Sequence, residues 1–170
     1  MTKKGTKATA MRLSKVRVIL GALFGLIALG LALYAPFSQW WNDKLYAEVV
    51  NGLSDVSQTD GIDLENWRQK AVAYNTKLIA SGDNSDYLNQ INPMGNQVMG
   101  RIKIDKINVD LPIYHTSSDS VLRKGAGHME ETTLPVGGET THAAITAHRG
   151  LAEARLFTDL DKVGVGDTFT

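Results

Sequence analysis

VMGRIKIDKINVDLPIYH, residues 98–115, decides how the rest of this chain is read. Ile102 and Ile104, then Ile107, Val109, Leu111 and Ile113, alternate with Arg101, Lys103, Asn108 and Asp110. That is the period-two pattern of strands buried on one face, and it predicts two strands with a bend near Asp105 and Lys106. Working toward the C-terminus, a helical turn is expected around Ser120–Leu122. A loop then passes Pro135, Gly137 and Gly138, and the apolar run Ala143 to Ala147 reads as a buried strand. Leu156, Phe157, Leu160 and Val163 predict a short helix; Gly164, Gly166 and Asp167 predict a turn into a strand beginning near Thr168. Roughly four short strands with both sheet edges open make a thin core.

Working toward the N-terminus, residues 83–97 hold Gly, Asp, Asn and Ser clusters with Pro93 just outside the strands, and read as a linker. Residues 42–82 read as helical. Asn42 or Asp43 caps a short helix that Gly52 ends; Asp63 then caps a longer one, with Leu64, Trp67, Ala71, Tyr74 and Leu78 along one stripe and Gly82 at its end. Val18 to Phe37 is an uncharged run of twenty residues, about 30 Å as a helix and enough to cross a bilayer. Residues 1–17 carry six cations and no acid, which leaves 12 cations against 18 acids, or −6, for the remainder. A cleaved signal peptide is the competing reading, but its apolar core spans only about 7–15 residues, and Pro36 follows the best small residue, Ala35. The expectation is an uncleaved single-pass anchor with Tyr34, Trp40 and Trp41 at the far headgroups, the basic N-terminus in the cytoplasm and the acidic body outside.

The chain has no cysteine, so its 170 residues support neither a disulfide, nor a thiolate metal site, nor thiol catalysis. Four histidines, His115, His128, His142 and His148, stand at strand-to-loop transitions. A structural role is the ordinary one for any of them. His142 and His148 would share one face of an extended segment, but no HExxH pattern or nearby carboxylate turns them into a metal site. His148, at the end of the apolar run and beside Arg149 and Gly150, is the sharper candidate for general acid/base work. No serine lies in a GxSxG elbow to serve as its nucleophile.

The order of several words goes further than any of these motifs. Val98-Met-Gly-Arg-Ile-Lys-Ile, Leu111-Pro-Ile-Tyr-His, Gly125-Ala-Gly-His-Met-Glu, Leu134-Pro-Val-Gly-Gly, Thr141-His-Ala-Ala-Ile-Thr-Ala-His-Arg-Gly-Leu, Leu156-Phe-Thr-Asp-Leu and Gly166-Asp-Thr-Phe follow one another at spacings that resemble the class C sortases, the pilin-polymerising transpeptidases. The resemblance implies a fold that is mainly β with N-terminal helices: an incomplete sortase-type β-barrel over residues 98–170, preceded by a transmembrane helix at 18–37. It also implies a membrane-anchored cysteine transpeptidase on a Gram-positive type surface. Such an enzyme cleaves LPxTG-type sorting signals and joins pilin subunits or attaches surface proteins to the cell wall. No cofactor, metal or nucleic acid is expected. In that family a cysteine attacks the threonine carbonyl of the signal, a histidine manages the proton and an arginine stands by. Only the histidine carries over, as His148, and the chain is expected to be a truncated form, inactive alone, that ends before the other two. Its alternative is a non-catalytic membrane-tethered remnant or binding module. The family's Asp-Pro-aromatic lid has no counterpart in Asp83-Asn-Ser-Asp-Tyr, and Asp105, Thr116 and Ala147 replace the usual proline and glycines.

Overall fold

The computed structural model describes residues 3–58 and 63–170; Met1 and Thr2 of the basic tail, and residues 59–62 of the helical segment, lie outside the described residues. Helix α1, Lys3–Gln58, is continuous through Pro36 and Gly52, whereas the sequence reading had the membrane helix stop at Phe37 and a second short helix run from Asn42 or Asp43 to Gly52. A proline removes only one backbone bond, and each residue on either side still gains one as the helix propagates. Packing holds the distal half in place: Tyr46 and Val50 are buried, and α1 lies against the sheet. Asn42, expected to cap a new helix, donates its side-chain amide to Glu153 O instead.

Helix α2, Leu64–Ser81, forms as its ends dictate. The Asp63 carboxylate accepts the Asn66 N–H at 2.8 Å, and Gly82, at φ +69°, donates its N–H to Leu78 O at 2.7 Å. Its buried face is narrower than the stripe suggested: Ala71, Tyr74 and Asn75 are buried, while Leu64 is exposed. Asn75 fastens the helix, its amide Nδ2 donating to Leu134 O and its Oδ1 accepting from Leu134 N.

The sheet has four strands in the order β1 (Val98–Ile104), β2 (Val109–His115), β3 (Ala126–His128) and β4 (Ile145–Thr146). β1 and β2 are antiparallel, joined by the 3-10 turn Asp105–Ile107 with Asn108 at φ +51°. An extra residue, Met99, bulges β1 between Val98 and Gly100, so both Val98 and Met99 point into the core. β2 and β3 are parallel, through the short helix α3 (Asp119–Leu122), and β3 and β4 are antiparallel. A Cβ on Gly127 of β3 would stand 2.4 Å from Thr116 O, so only glycine fits where the chain crosses.

This four-stranded sheet does not close into a barrel. At the outer edge of β1, Lys103 and Thr170 exchange N–H and C=O bonds at 2.7 and 3.0 Å, an antiparallel pairing where a strand near Thr168 was expected. Two other expectations change. The run 143–147 is half-exposed and forms only the two-residue β4, because among the described residues nothing pairs with its second edge. Residues 156–163 form turns, with helical geometry limited to the 3-10 segment Leu160–Lys162. Leu156 takes φ +40° and Phe157 N bonds back to His148 O, which turns the chain away from a helix at its first residues.

Candidate active site around His148

His148 follows β4 by one residue and begins the loop that returns to Phe157. Three sets of bonds hold that loop. Phe157 N donates to His148 O at 3.1 Å, Gly150 N donates to Thr158 Oγ1 at 3.0 Å, and α1 reaches across with Gln39 Nε2 to Ala152 O and Asn42 Nδ2 to Glu153 O. Ala154, Leu156 and Phe157 are buried beneath it. Its backbone is thus fixed, while the His148 imidazole is half-exposed and has no hydrogen-bond partner among the described residues. An imidazole placed in this way is free to exchange a proton with a bound substrate.

The carboxylates nearby are otherwise engaged. Asp159 is held below the usual carboxylate range by Lys162 and Arg155, each at 2.8 Å, and Asp161 pairs with Arg149 at 3.2 Å. Neither orients His148. On the α1 side of the loop, a cavity of about 290 Å³ is lined by Asp43, Tyr46, Asp110, Arg155 and Asp159 among others. Burial pushes Asp43 up, against the pull of Arg155, and pushes the Tyr46 phenol up to about 12.

The other histidines divide into two buried and one exposed. His142 lies exposed at the rim of a separate cleft with Glu131, Thr132 and Thr140. Among the described residues, no group of three or more His, Asp or Glu side chains converges as metal ligands would. His115 and His128 sit directly opposite each other in the β2–β3 pairing, and both are fully buried. Between them stands Tyr87, a residue the sequence left in a linker. Its ring centroid is 5.0 Å from that of His115 and 5.6 Å from that of His128. The Tyr87 hydroxyl accepts the Thr116 N–H at 3.1 Å and lies 3.0 Å from His128 Nδ1. His128 Nε2 lies 2.9 Å from Thr133 O, so it carries the proton and donates, while Nδ1 accepts from Tyr87. Burial, reinforced by His115, lowers the affinity of His128 for a second proton, although the Thr133 carbonyl acts in the opposite sense. Burial likewise pushes Tyr87 up to about 12. The ring nitrogens of His115 face Gln97 O at 3.1 Å and Gln90 O at 2.6 Å. The segment upstream of β1 is therefore bolted to the sheet by buried side chains.

This architecture has close counterparts. Residues 102–170 match the family model described as the sortase domain. Sortase C1 of Streptococcus agalactiae is 37% identical and superposes with a TM-score of 0.66, over 72% of this chain and 68% of that one. This chain belongs to the sortase family. Sortase C of Streptococcus pneumoniae is 42% identical with a TM-score of 0.64, over 72% of this chain and 66% of that one. Sortase C-1 of Actinomyces oris is 36% identical at a TM-score of 0.55, covering 62% and 64%. Within the sortases, then, the strong structural likeness is to class C. The chain spans about two thirds of the length of the two streptococcal sortases. No curated protein sequence matches it. Sortases are cysteine transpeptidases, and this chain, without a cysteine, lacks the nucleophile of that chemistry.

The sequence singled out His148 through its strand-end position, named Asn42 only as a helix cap, and did not single out Tyr87 or Gln39.

Proposed function

We propose that this chain carries the proton-handling half of a pilin-type sortase site, with His148 as the general acid/base. The observation that supports the reading is the contrast within one loop: a backbone tied to α1 and Thr158, and an imidazole with no partner among the described residues. In the proposed reaction a thiolate attacks the threonine carbonyl carbon of an LPxTG-type signal. As the peptide C–N bond breaks, His148 gives its proton to the departing amine, leaving a thioester. A pilin lysine amine then attacks the thioester, His148 takes a proton from that amine, and the thiolate departs as an isopeptide bond forms. Oxyanion stabilisation comes from a cation or from backbone amides. These residues hold no cysteine to supply the thiol, so the chain alone performs no transfer. It acts only with a segment that supplies the thiol.

The same reading places the protein at the cell surface. Val18–Phe37 lies within a helix long and apolar enough to cross a membrane, with Leu20, Phe24, Ile27, Leu31 and Phe37 exposed along it. The excess of cations before it sets the N-terminus in the cytoplasm and the sheet outside. Incubating the purified chain with a fluorogenic LPxTG peptide should release no product. Peptide cleavage by the chain alone would overturn the assignment of a thiol mechanism.

A further inference from the structure

The loop that carries His148 is fastened to α1 at a particular height. Between Arg17 and Asp43 no residue is charged. Those 26 helical steps, at about 1.5 Å each, measure roughly 39 Å, close to the ~40–45 Å of a bilayer with its headgroup layers. The apolar core, about 30 Å thick, is filled by Val18–Phe37. Gln39 and Asn42 stand two and five residues beyond Phe37, roughly 3 and 8 Å along the axis, and so within the headgroup layer.

Aromatic groups mark the same level. Phe37, Trp40 and Trp41 are exposed and form a cluster with ring centroids 5.8 to 6.5 Å apart, and the Lys44 ammonium lies 4.2 Å from the Trp40 ring centroid. Indole rings favour the membrane–water interface, and the lysine beside them can reach a lipid phosphate. Gln39 Nε2 and Asn42 Nδ2 hold Ala152 O at 3.1 Å and Glu153 O at 2.9 Å. Ala152 itself is exposed.

We infer that the loop from Arg149 to Arg155 rests in the phospholipid headgroup layer, held there by Gln39 and Asn42, so that His148 is presented at the bilayer surface. This inference rests on the reading of α1 as a membrane anchor. The loop's charges are matched by residues outside it, Arg149 by Asp161, Glu153 by Arg123 and Arg155 by Asp159. The attachment therefore comes from the helix and needs no anionic lipid.

The cysteine-free chain permits clean single-site labelling. Ala152→Cys and Leu26→Cys, each carrying a bimane fluorophore, are reconstituted as full chains in phosphatidylcholine nanodiscs. The discs contain phosphatidylcholine with a nitroxide on the headgroup or on the acyl chain. Leu26 should be quenched by the acyl-chain nitroxide, and Ala152 at least twofold by the headgroup nitroxide. Ala152 quenching should fall in a Gln39→Ala/Asn42→Ala background while Leu26 is unchanged. A quenched Leu26 with an unquenched Ala152 overturns the inference and leaves the anchor intact. An unquenched Leu26 removes the anchor and the inference together. Equal Ala152 quenching in the double variant refutes the two amides as the tether.

Discussion

Replacing Tyr87 with phenylalanine keeps the ring between His115 and His128 but deletes the hydroxyl that serves them. The variant leaves the Thr116 N–H without its acceptor and His128 Nδ1 without its donor. An orphaned buried group costs about 1–3 kcal/mol. Thr116 is only half-buried, so it belongs at the low end, whereas His128 is fully buried. The sum is about 2–4 kcal/mol, which at about 1.4 kcal/mol per tenfold corresponds to roughly 30- to 700-fold in an opening equilibrium. Native-state hydrogen exchange on the full chain in detergent micelles reads this directly. The amides to follow are His115, bonded to Gln97 O, and Met129, bonded to Ala144 O. Both should exchange faster in Tyr87→Phe by that factor, while amides in the first half of α1 keep their rates. Acceleration below about threefold would refute the claim that this hydroxyl bolts the upstream segment to the sheet.

The same cluster predicts a pH response. His128 in the fold binds a proton less readily than the ordinary value of 6.5, chiefly through burial. Its contribution is therefore fully present above pH 6.5 and is lost as pH falls through the folded value, because the unfolded chain takes up the proton first. Exchange at Met129, corrected for intrinsic rates, should accelerate below pH 6.5, and His128→Gln should flatten that dependence. Gly127→Ala forces a methyl group to 2.4 Å from Thr116 O. It should cost at least ~2 kcal/mol and abolish protection in β3, as amide exchange will show. Asn75→Leu leaves Leu134 N and O unpaired beneath α2. It should lower stability by about 2–4 kcal/mol, measured as a shift in the urea dependence of α2 exchange.

Much of this fold was legible because local rules dominated it. Asp63 and Gly82 bounded α2 since a carboxylate cap and a left-handed glycine act through their immediate neighbours. β1 and β2 followed from alternation, and the bend at Asp105 from its interruption. Most of the differences come from contact at long sequence separation. Asn42 or Asp43 read as the start of a new helix and Gly52 as its end, yet burial of Tyr46 and Val50 against the sheet keeps one helix through all of them. The run at 143–147 reads as buried, but burial depends on a neighbouring strand. His148 was visible as a strand-end histidine, and the role proposed for it came from the resemblance of the surrounding words. The bonds that fix its loop could not be read, because Gln39 and Asn42 lie more than a hundred residues away from their acceptors.

His148 is proposed to handle the proton in a sortase reaction whose thiol lies elsewhere. A chimera tests it most directly: residues 98–170 of this chain replace the corresponding segment of Streptococcus agalactiae sortase C1, which supplies the remaining strands. The measurement is transfer of an LPxTG-type peptide to a lysine-bearing acceptor, made alongside cysteine alkylation and thermal unfolding. The chimera should transfer the peptide, and His148→Ala should abolish transfer, with loss of at least about 10²-fold, while unfolding stays cooperative at an unchanged temperature. A His148→Ala chimera that transfers peptide at the parental rate would contradict the claim.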